Sequence, residues 1–376
     1  MKKLYIIAGE ASGDLHAANF MKAMLEQDQN VDFRYWGGDN MAAVTGKPVK
    51  HISELAFMGF IEVVANLGTI LTNIKFCKKD ILNYKPDALV LVDYPGFNLR
   101  IAKWAKKEGI PVIYYISPQI WAWKQNRVHT IKKVVDKMLV ILPFEKDFYA
   151  KFGVDVTFVG HPLLDAIDQF IAKTDKVDLY AKHNLDKRPV IALLPGSRKQ
   201  EINTLLPIML DSLSEFDDYQ FVIAGAPALP GSFYEPFLKH SKNVHLIHGE
   251  TYDLLSIATA ALVTSGTATL ETALFEVPEV VCYKGSSISY QIAKRLIKVE
   301  YISLVNLILQ KEAVKELIQN ECNAKFIEKE LHSILPGQLK NAQLKNNYKD
   351  LLKILGEGGA SEIAAKEVLL QLTLND

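Results

Sequence analysis

The loop Pro195–Arg198, with the sequence PGSR, combines residue types that can hold a phosphate. It follows the apolar run 190–194 and precedes a predicted helix. A glycine (Gly196), a hydroxyl (Ser197) and a guanidinium (Arg198) at a helix N-terminus can clamp a phosphate, and Arg198 can neutralise charge on a phosphate leaving group. The alternative is a surface arginine above an ordinary turn; we favour the phosphate site.

A second loop in the same half of the chain could bind the rest of a nucleotide. Ser265, Gly266 and Thr267 follow the apolar run 261–264, and a helix starting there would offer N–H groups and hydroxyls to a diphosphate. Glu271 lies four residues after Thr267 on the same helix face, where its carboxylate could accept hydrogen bonds from ribose hydroxyls. The alternative is a helix-capping arrangement. Because both loops belong to one predicted domain, together they favour a nucleotide site.

In the first half of the chain, Asp93 is the candidate general base. It follows the apolar run 88–92, where a carboxylate could accept a proton from a ligand held by the other domain. The alternative is an aspartate that accepts hydrogen bonds from backbone N–H groups in a turn favoured by Pro95 and Gly96. Asn98 is either a cap or a ligand contact.

The loop 9–13, with the sequence GEASG, connects the first predicted strand to the first predicted helix. Its two glycines permit close backbone approach to a ligand, and the helix N-terminus favours an anionic or hydroxyl-rich one. The spacing is not G-x-G-x-x-G, which disfavours NAD binding. The alternative is a tight turn in which Ser12 or Asp14 caps the helix.

Other motifs narrow the chemistry. The sequence has no Asp-x-Asp triplet, no His/Cys cluster with metal-ligand spacing, no P-loop and no G-x-S-x-G motif, so we expect a mechanism without metal or cofactor. His161 is expected at a domain junction and not as a base. Trp121 and Trp123, which follow another apolar run, could stack on sugar, line an acyl pocket or pack against a helix; we expect one of them in the core.

Composition indicates an ordinary globular protein. The chain has 376 residues, is 49% hydrophobic and carries 43 basic and 43 acidic side chains. Zero net charge disfavours broad nucleic-acid binding. The three widely spaced cysteines are typical of reduced thiols in a cytoplasmic protein.

The elements that must position these loops alternate between strands and helices. Continuous Val/Ile/Leu runs predict strands buried in parallel sheets. We expect strands near residues 4–8, 32–36, 88–92, 112–116, 138–142, 156–159, 190–194, 221–224, 244–247, 261–264 and 280–283. The remainder after Ser286 is predicted to be helical. The fold class is therefore α/β, with two Rossmann-like, doubly wound domains facing a cleft; ligands bind such sheets outside the carboxyl ends of the strands.

Two stretches could contact lipid. Residues 51–86 are apolar over much of their length, including Phe57, Met58 and Phe60, and become basic towards their end. A second basic, amphipathic stretch spans residues 288–309. Such segments can lie at a bilayer interface, although helices that cover a core with a solvated basic end are the commoner explanation. No apolar run is long enough to span a membrane.

The motifs taken together resemble those of the lipid-A-disaccharide synthases. The matching segments run in order along the chain. They are GEASGD (9–14), LAFMGFIEV (55–63), SPQIWAW (117–123), LPFE (142–145), LPGSR (194–198), SGTATLE (265–271) and YISLVNL (301–307). The first and third of these are specific to the family.

This resemblance implies a metal-independent, inverting glycosyltransferase of the GT-B architecture. It would join UDP-2,3-diacylglucosamine to the 6-hydroxyl of 2,3-diacylglucosamine 1-phosphate, giving UDP and a β-1,6-linked disaccharide phosphate, the lipid A precursor. It would act in the cytoplasm at the inner face of the Gram-negative inner membrane, where Phe57, Met58 and Phe60 would contact lipid.

Site roles carried over from the family match the candidates above. Asp93 and Arg198 match functionally important residues. Ser265, Gly266, Thr267, Glu271 and Asn306 match the nucleotide side, and Glu10, Ser12 and Gly13 match the N-terminal wall. Gly96 departs from an acidic residue common in the family, and His16 departs from an apolar one.

The resemblance also implies a domain plan. Residues 1–165 form the acceptor-side and lipid-side domain, and residues 186–335 form the UDP-sugar domain. The C-terminal helices, 336–376, return to the first domain, and in some members they are exchanged between the protomers of a homodimer. Two alternatives remain at this stage: a UDP-sugar 2-epimerase on the same scaffold, and a nucleotide-binding membrane scaffold without turnover.

Overall fold

The computed structural model describes residues 1–55, 67–174, 178–239, 243–285 and 299–373. The chain forms two compact units. The first contains Met1–Asp165 and Gly358–Asp376, and the second contains Ala166–Glu357. The chain therefore leaves the first unit once and returns to it near its C-terminus.

The first unit alternates strands and helices around a parallel sheet. Its strands are β1 (Lys2–Ala8), β2 (Val31–Gly37), β3 (Lys50–His51), β4 (Ala88–Val92), β5 (Val112–Tyr115), β6 (Lys137–Val140) and β7 (Thr157–Phe158). Its helices are α1 (Ala11–Gln27), α2 (Asp39–Thr45), α3 (Leu67–Tyr84), α4 (Pro95–Lys107), α5 (Val128–Val134) and α6 (Phe144–Ala150), with short 3₁₀ helices at Ile52–Glu54 and Gln125–Arg127. Helix α7 (Pro162–Thr174) carries the chain into the second unit.

The second unit repeats this organisation. Its strands are β8 (Val190–Leu194), β9 (Gln220–Gly225), β10 (Val244–His248), β11 (Ala258–Thr264), β12 (Glu279–Tyr283) and β13 (Lys315–Ile318). Its helices are α8 (Leu179–Lys182), α9 (Lys199–Asp211), α10 (Glu235–Leu238), α11 (Thr251–Ile257), α12 (Thr267–Leu274), α13 (Leu304–Leu309), α14 (Ala324–Ile334) and α15 (Leu339–Leu355), with a 3₁₀ helix at Gly231–Phe233. Helix α16 (Ala360–Thr373) belongs to the first unit.

Both sheets are parallel, and in both the strand order reverses beside the first strand. The first sheet has the order β3-β2-β1-β4-β5-β6-β7, and the second has the order β10-β9-β8-β11-β12-β13. The reversal falls between β1 and β4 in the first sheet and between β8 and β11 in the second. These are topological switch points, where the loops at the carboxyl ends of the two central strands diverge and leave a crevice.

Each face of the first sheet carries its own apolar core. Along β1, Leu4 and Ile6 pack with α1 and α16, whereas Tyr5 and Ile7 pack with α3, α4 and α5 on the opposite face. Successive strand residues point to opposite faces, so a sheet covered on both sides needs apolar residues at every position. This explains why the strands appear in the sequence as unbroken apolar runs.

The prediction of two doubly wound α/β domains is confirmed, and the structure differs from it at the C-terminal side. The segment Lys315–Ile318, predicted as helical, is strand β13, which pairs in parallel with β12. Its sequence, KELI, favours helix. In the structure this segment is nevertheless the edge strand of the second sheet, and only its central pair, Glu316 and Leu317, is buried. Tertiary pairing overrides local propensity there.

The C-terminal helices also differ from the predicted domain plan, in which residues 336–376 return to the first domain. Helix α15 lies in the second unit, where Leu344, Tyr348 and Leu351 are buried beside α13 and α14. Only α16 packs on the first unit, against α1. No helix within the described part of the chain is long and apolar enough to cross a membrane.

Candidate functional site

The predicted site loops follow the central strands of both sheets. In the first unit, the loop after β1 begins at Gly9 and the loop after β4 begins at Asp93. In the second unit, Pro195–Arg198 follows β8 and Ser265 follows β11. Each pair of loops therefore flanks the switch point of its own sheet, which is where open α/β sheets bind ligands.

Asp93 lies in a sharply turned backbone. Asp93 and Tyr94 both adopt left-handed conformations, with φ values of 44° and 46°, a region that non-glycine residues rarely occupy. The Asp93 carbonyl accepts hydrogen bonds from Asn98 Nδ2 at 2.9 Å and from the Tyr114 hydroxyl at 2.5 Å. Local strain of this kind persists only where the surroundings enforce it, and it concentrates at functional sites.

The Asp93 carboxyl group has a perturbed pKa. Burial raises the pKa of this carboxyl to about 7, the neighbouring Glu10 carboxylate adds to the rise, and the Tyr94 backbone N–H opposes it. A carboxylate that titrates near neutral pH is suited to general-base catalysis. Asp93 therefore has both the position and the electrostatics of a proton acceptor.

The loop after β1 touches the Asp93 turn directly. A Cβ atom added to Gly9 would lie 2.3 Å from the Tyr94 ring, so only glycine fits there. Glu10 is the N-cap residue of α1, with Ser12 exposed and Gly13 buried in the first turn. Asp14 does not cap α1; its carboxylate instead accepts hydrogen bonds from the backbone N–H groups at the start of α2: Gly38, Asn40 and Met41.

Asn98 and Asn306, both predicted as ligand contacts, make several hydrogen bonds within the protein. Both side chains are fully buried. The Asn98 amide donates to the carbonyls of Ile7, Val92 and Asp93, which ties β1 to the Asp93 turn. Asn306 accepts from the Ala313 and Val314 N–H groups and donates to the Val314 carbonyl and the Glu316 carboxylate. Asn98 thus stabilises the turn at Asp93, and Asn306 stabilises the connection between α13 and β13.

Arg198 lies at the start of α9 in the second unit. It is the N-cap residue of this helix, and its side chain is 63% exposed, with Nη1 3.2 Å from Glu201 Oε1. Gly196 has a φ of 113°, and a Cβ atom there would lie 2.7 Å from Glu201 Oε2. An exposed pair of this kind contributes little to stability.

The second loop of this unit opens α12. Gly266 is the N-cap residue, with a φ of 154° and ψ of −162° that only glycine readily adopts, and Thr267 begins the helix. The Ser265 hydroxyl donates to the Ile302 carbonyl at 3.0 Å. Glu271 Oε1 accepts a hydrogen bond from the Tyr252 hydroxyl at 3.1 Å, and burial raises the pKa of the Glu271 carboxyl.

The remaining predictions have mixed outcomes. Trp121 is 5% exposed and packs edge-on against Phe144, while Trp123 is 43% exposed, so one tryptophan is in the core as expected. His161 is buried just before α7, and burial lowers the pKa of its imidazole to about 3. Phe57, Met58 and Phe60 lie outside the described residues, as do residues 288–298 of the stretch 288–309.

Sequence reasoning missed the residues that shape the Asp93 turn. The sequence predicts Tyr114 only as part of a strand and Tyr94 only as part of a turn. In the structure the Tyr114 hydroxyl donates to the Asp93 carbonyl, and the Tyr94 ring covers Gly9.

Glu145 was also missed. It is 1% exposed and accepts the Leu142 N–H at 3.0 Å, and burial raises the pKa of its carboxyl to about 7. An acidic residue directly after an apolar run is the signal that would have identified it.

Solved structures define the fold class. The UDP-GlcNAc 2-epimerase of Neisseria meningitidis bound to UDP-GlcNAc is similar with a TM-score of 0.69 and 15% identity, covering 98% of this chain and 100% of that chain. The glycotransferase of kitacinnamycin is similar with a TM-score of 0.66 and 13% identity, covering 99% of each chain. Identity this low shows the fold alone, which is the GT-B fold shared by glycosyltransferases and epimerases.

Sequence comparison gives the family within that class. Residues 4–371 match the family model described as Lipid-A-disaccharide synthetase. The lipid-A-disaccharide synthase of Syntrophus aciditrophicus (strain SB) is 40% identical, covering 100% of this chain and 99% of its own. That of Geobacter metallireducens is 39% identical, covering 99% and 97%. The chain belongs to the lipid-A-disaccharide synthetase family and is a glycosyltransferase of lipid A biosynthesis.

Proposed function

We propose that this enzyme transfers the diacylglucosamine of UDP-2,3-diacylglucosamine to the 6-hydroxyl of 2,3-diacylglucosamine 1-phosphate. The acceptor oxygen forms a bond to the anomeric carbon, and the bond between that carbon and the UDP oxygen breaks. The acceptor proton passes to a base, and UDP leaves. Attack from the face opposite UDP inverts the anomeric carbon and gives a β-1,6 disaccharide 1-phosphate.

Asp93 is the proposed base, and its setting is the observation that carries the proposal. Its carboxyl follows a central strand at the switch point, in an enforced turn, and burial beside Glu10 raises its pKa to about 7. The carboxylate form can accept the proton of an alcohol as the new bond forms. A general base of this type contributes roughly 10²–10⁴ to the rate.

The second unit is proposed to bind UDP and stabilise it as it leaves. Gly196, Ser197 and Arg198 would meet the diphosphate, together with the start of α12 at Ser265, Gly266 and Thr267. Glu271 would accept hydrogen bonds from ribose hydroxyls. This assignment is supported by the exposure of the Arg198 guanidinium and by the two helix N-termini that follow β8 and β11.

Because both proposed substrates are lipids, we expect the enzyme to act at a membrane surface. We propose a peripheral location on the inner face of the inner membrane, with Phe57, Met58 and Phe60 as contacts. Support comes from α3, the helix that follows this segment, which exposes Leu71, Phe76 and Leu82 alongside several lysines. Basic helices with exposed apolar residues bind anionic bilayers.

A product assay tests the proposed reaction. The enzyme is incubated with UDP-2,3-diacylglucosamine and 2,3-diacylglucosamine 1-phosphate, and the products are identified by mass spectrometry. We expect tetraacyl disaccharide 1-phosphate and UDP in equal amounts. Release of UDP without disaccharide would reject the transferase, and conversion of UDP-GlcNAc to its 2-epimer would favour the function of the structural neighbours.

A further inference from the structure

The outer side of α4 bears a groove lined by basic side chains. It comprises a cavity of about 620 Å³ and a smaller cavity of about 210 Å³, which share Arg100, Lys103 and Thr130. We call the smaller cavity the phosphate pocket; its other lining residues include Pro95, Gly96 and Arg127. Nothing in the reaction described so far uses these cations.

The charge around this groove is strongly one-sided. The larger cavity is also lined by Lys78, Lys106, Lys107 and Lys133, and none of the described residues lining either cavity is acidic. Lys106 pairs with Asp136 at the edge of the groove. Among the described side chains, no carboxylate forms an ion pair with Arg100, Lys103 or Arg127. Clustered cations without counter-charges repel one another, and they attract an anion.

The phosphate pocket lies close along the chain to the proposed base. Pro95 and Gly96 form the first turn of α4, directly after Asp93 and Tyr94. Arg127 directly precedes α5, the helix that follows β5, and β5 is the neighbour of β4 in the sheet. Both helices therefore begin at the carboxyl edge of the first sheet, the edge that carries Asp93. Asp93 itself does not line the pocket.

We infer that the phosphate pocket binds a phosphomonoester, and specifically the 1-phosphate of the sugar acceptor. The inference rests on the proposed function, which requires an anionic acceptor whose hydroxyl meets Asp93. Arg100, Lys103 and Arg127 supply the charge, and the Thr130 hydroxyl supplies a further donor. Guanidinium groups suit this role because they bind phosphate oxygens in pairs.

A phosphate site separate from the acidic pair is the physical advantage of this arrangement. Asp93 and Glu10 form an acidic pair that repels a phosphate, whereas the pocket attracts one. The 6-hydroxyl and the 1-phosphate are carried on either side of the ring oxygen, so the phosphate can bind the pocket while the hydroxyl remains outside it. Cations that hold the phosphate therefore strengthen binding of the phosphorylated acceptor relative to its uncharged analogue.

Steady-state kinetics in neutral detergent micelles test the inference on the full chain. The pocket variant carries Arg100→Gln, Lys103→Gln and Arg127→Gln. The control variant carries Lys22→Gln, Lys151→Gln and Lys366→Gln, which remove the same charge from exposed positions elsewhere on the first unit. We expect the pocket variant alone to raise the KM for the phosphorylated acceptor roughly tenfold or more. The kcat, the donor KM and the KM for dephosphorylated acceptor should stay unchanged.

Three results would overturn the inference. The first is an unchanged KM for the phosphorylated acceptor. The second is an equal loss with phosphorylated and dephosphorylated acceptors, which would mean structural damage. The third is a defect confined to phosphatidylglycerol vesicles and absent in neutral micelles, which would assign the groove to lipid headgroups.

A binding measurement separates this inference from the proposed function. Wild-type protein and both variants are titrated with neutral micelles containing 2,3-diacylglucosamine 1-phosphate, and with micelles containing its dephosphorylated form. Weaker binding of the pocket variant to the phosphorylated ligand alone supports the phosphate pocket, even if wild type makes no disaccharide. Equal binding by all three proteins rejects it, even if turnover is normal.

Discussion

Strained backbone surrounds the proposed base. Asp93, Tyr94 and Ile116 have left-handed φ values of 44°, 46° and 64°, and they directly follow the adjacent strands β4 and β5. Each such residue costs about 1–3 kcal/mol, and Ile116 is β-branched, which makes the conformation less favourable still. The partly buried hydrogen bonds from Asn98 and Tyr114 to the Asp93 carbonyl hold the turn in place.

Glu10→Gln should shift the pH dependence of turnover. Asp93 must be ionised to accept a proton, so the rate should rise with pH through about 7. Because the Glu10 carboxylate helps to raise the pKa of Asp93, its removal should move the acid limb of the kcat profile to lower pH. Glu26→Gln, an exposed change at the other end of α1, is the matched control. An unshifted acid limb would contradict the coupling between the two carboxyl groups.

Asp93→Asn should stabilise the fold. The folded state raises the pKa of Asp93, so it holds the proton more tightly than the unfolded state. The resulting penalty grows as pH rises from about 4 to about 7 and is constant above that. We expect the variant to gain about 1–3 kcal/mol in free energy of unfolding at pH 8 and progressively less towards pH 4. Urea unfolding at both pH values measures the gain; equal stability at pH 8 would contradict a buried charge.

At the scale of elements, a single carboxylate anchors the returning helix. The Asp165 oxygens accept hydrogen bonds from the N–H groups of Gly359, Ala360 and Ser361 at 2.6, 3.3 and 3.1 Å. These groups open α16, whose Ala364, Ala365, Val368 and Leu372 are buried in the core formed with α1. Asp165 thus joins the point where the chain leaves the first unit to the point where it returns.

Asp165→Ala should lower the free energy of unfolding by about 1–2 kcal/mol, because it removes the cap from α16. Asp165→Asn keeps one acceptor oxygen and should lose less. Asp168→Ala, an exposed change on α7, should have little effect. Chemical denaturation of the three variants measures the differences. If Asp165→Ala unfolds like the Asp168→Ala control, the cap does not stabilise the helix.

Sequence reasoning found the central elements because they are buried on both faces. The apolar runs identified the central strands, and the polar residue after each run marked a candidate site. Edge strand β13 was missed because its sequence, KELI, favours helix. The expectation that α15 returns to the first domain came from the family resemblance, whereas the structure places this helix in the second unit. The hydrogen bonds of Asn98 to the distant Ile7 carbonyl and of Asn306 to Ala313 and Val314 depend on how the chain turns in space, which spacing along the sequence does not reveal.

At the scale of the molecule, the two units differ in how they are built from the chain. The second is continuous, Ala166–Glu357, whereas the first needs residues from both ends. Besides its apolar packing, α16 brings Glu367 to within 2.6 Å of the Lys137 ammonium in β6. A chain cut after Asp165 would lack this helix and expose the core that α16 covers.

A fragment spanning residues 166–357 should therefore fold and bind UDP, while a fragment spanning residues 1–165 should not fold stably. Each fragment contains its own sheet, but only the fragment 1–165 lacks part of its apolar core, namely the part that α16 supplies. Circular dichroism and calorimetric UDP titration test this. A second-unit fragment that folds without binding UDP would contradict the assignment of the donor site to that unit.

In the proposed mechanism, the first unit activates the acceptor and the second unit binds the donor diphosphate. Measuring kcat and UDP affinity together in Asp93→Asn and Arg198→Ala tests it most directly. We predict that Asp93→Asn lowers kcat by roughly 10²–10⁴ without changing UDP affinity, and that Arg198→Ala weakens UDP binding. Full turnover by Asp93→Asn, or unchanged UDP affinity in Arg198→Ala, would contradict it.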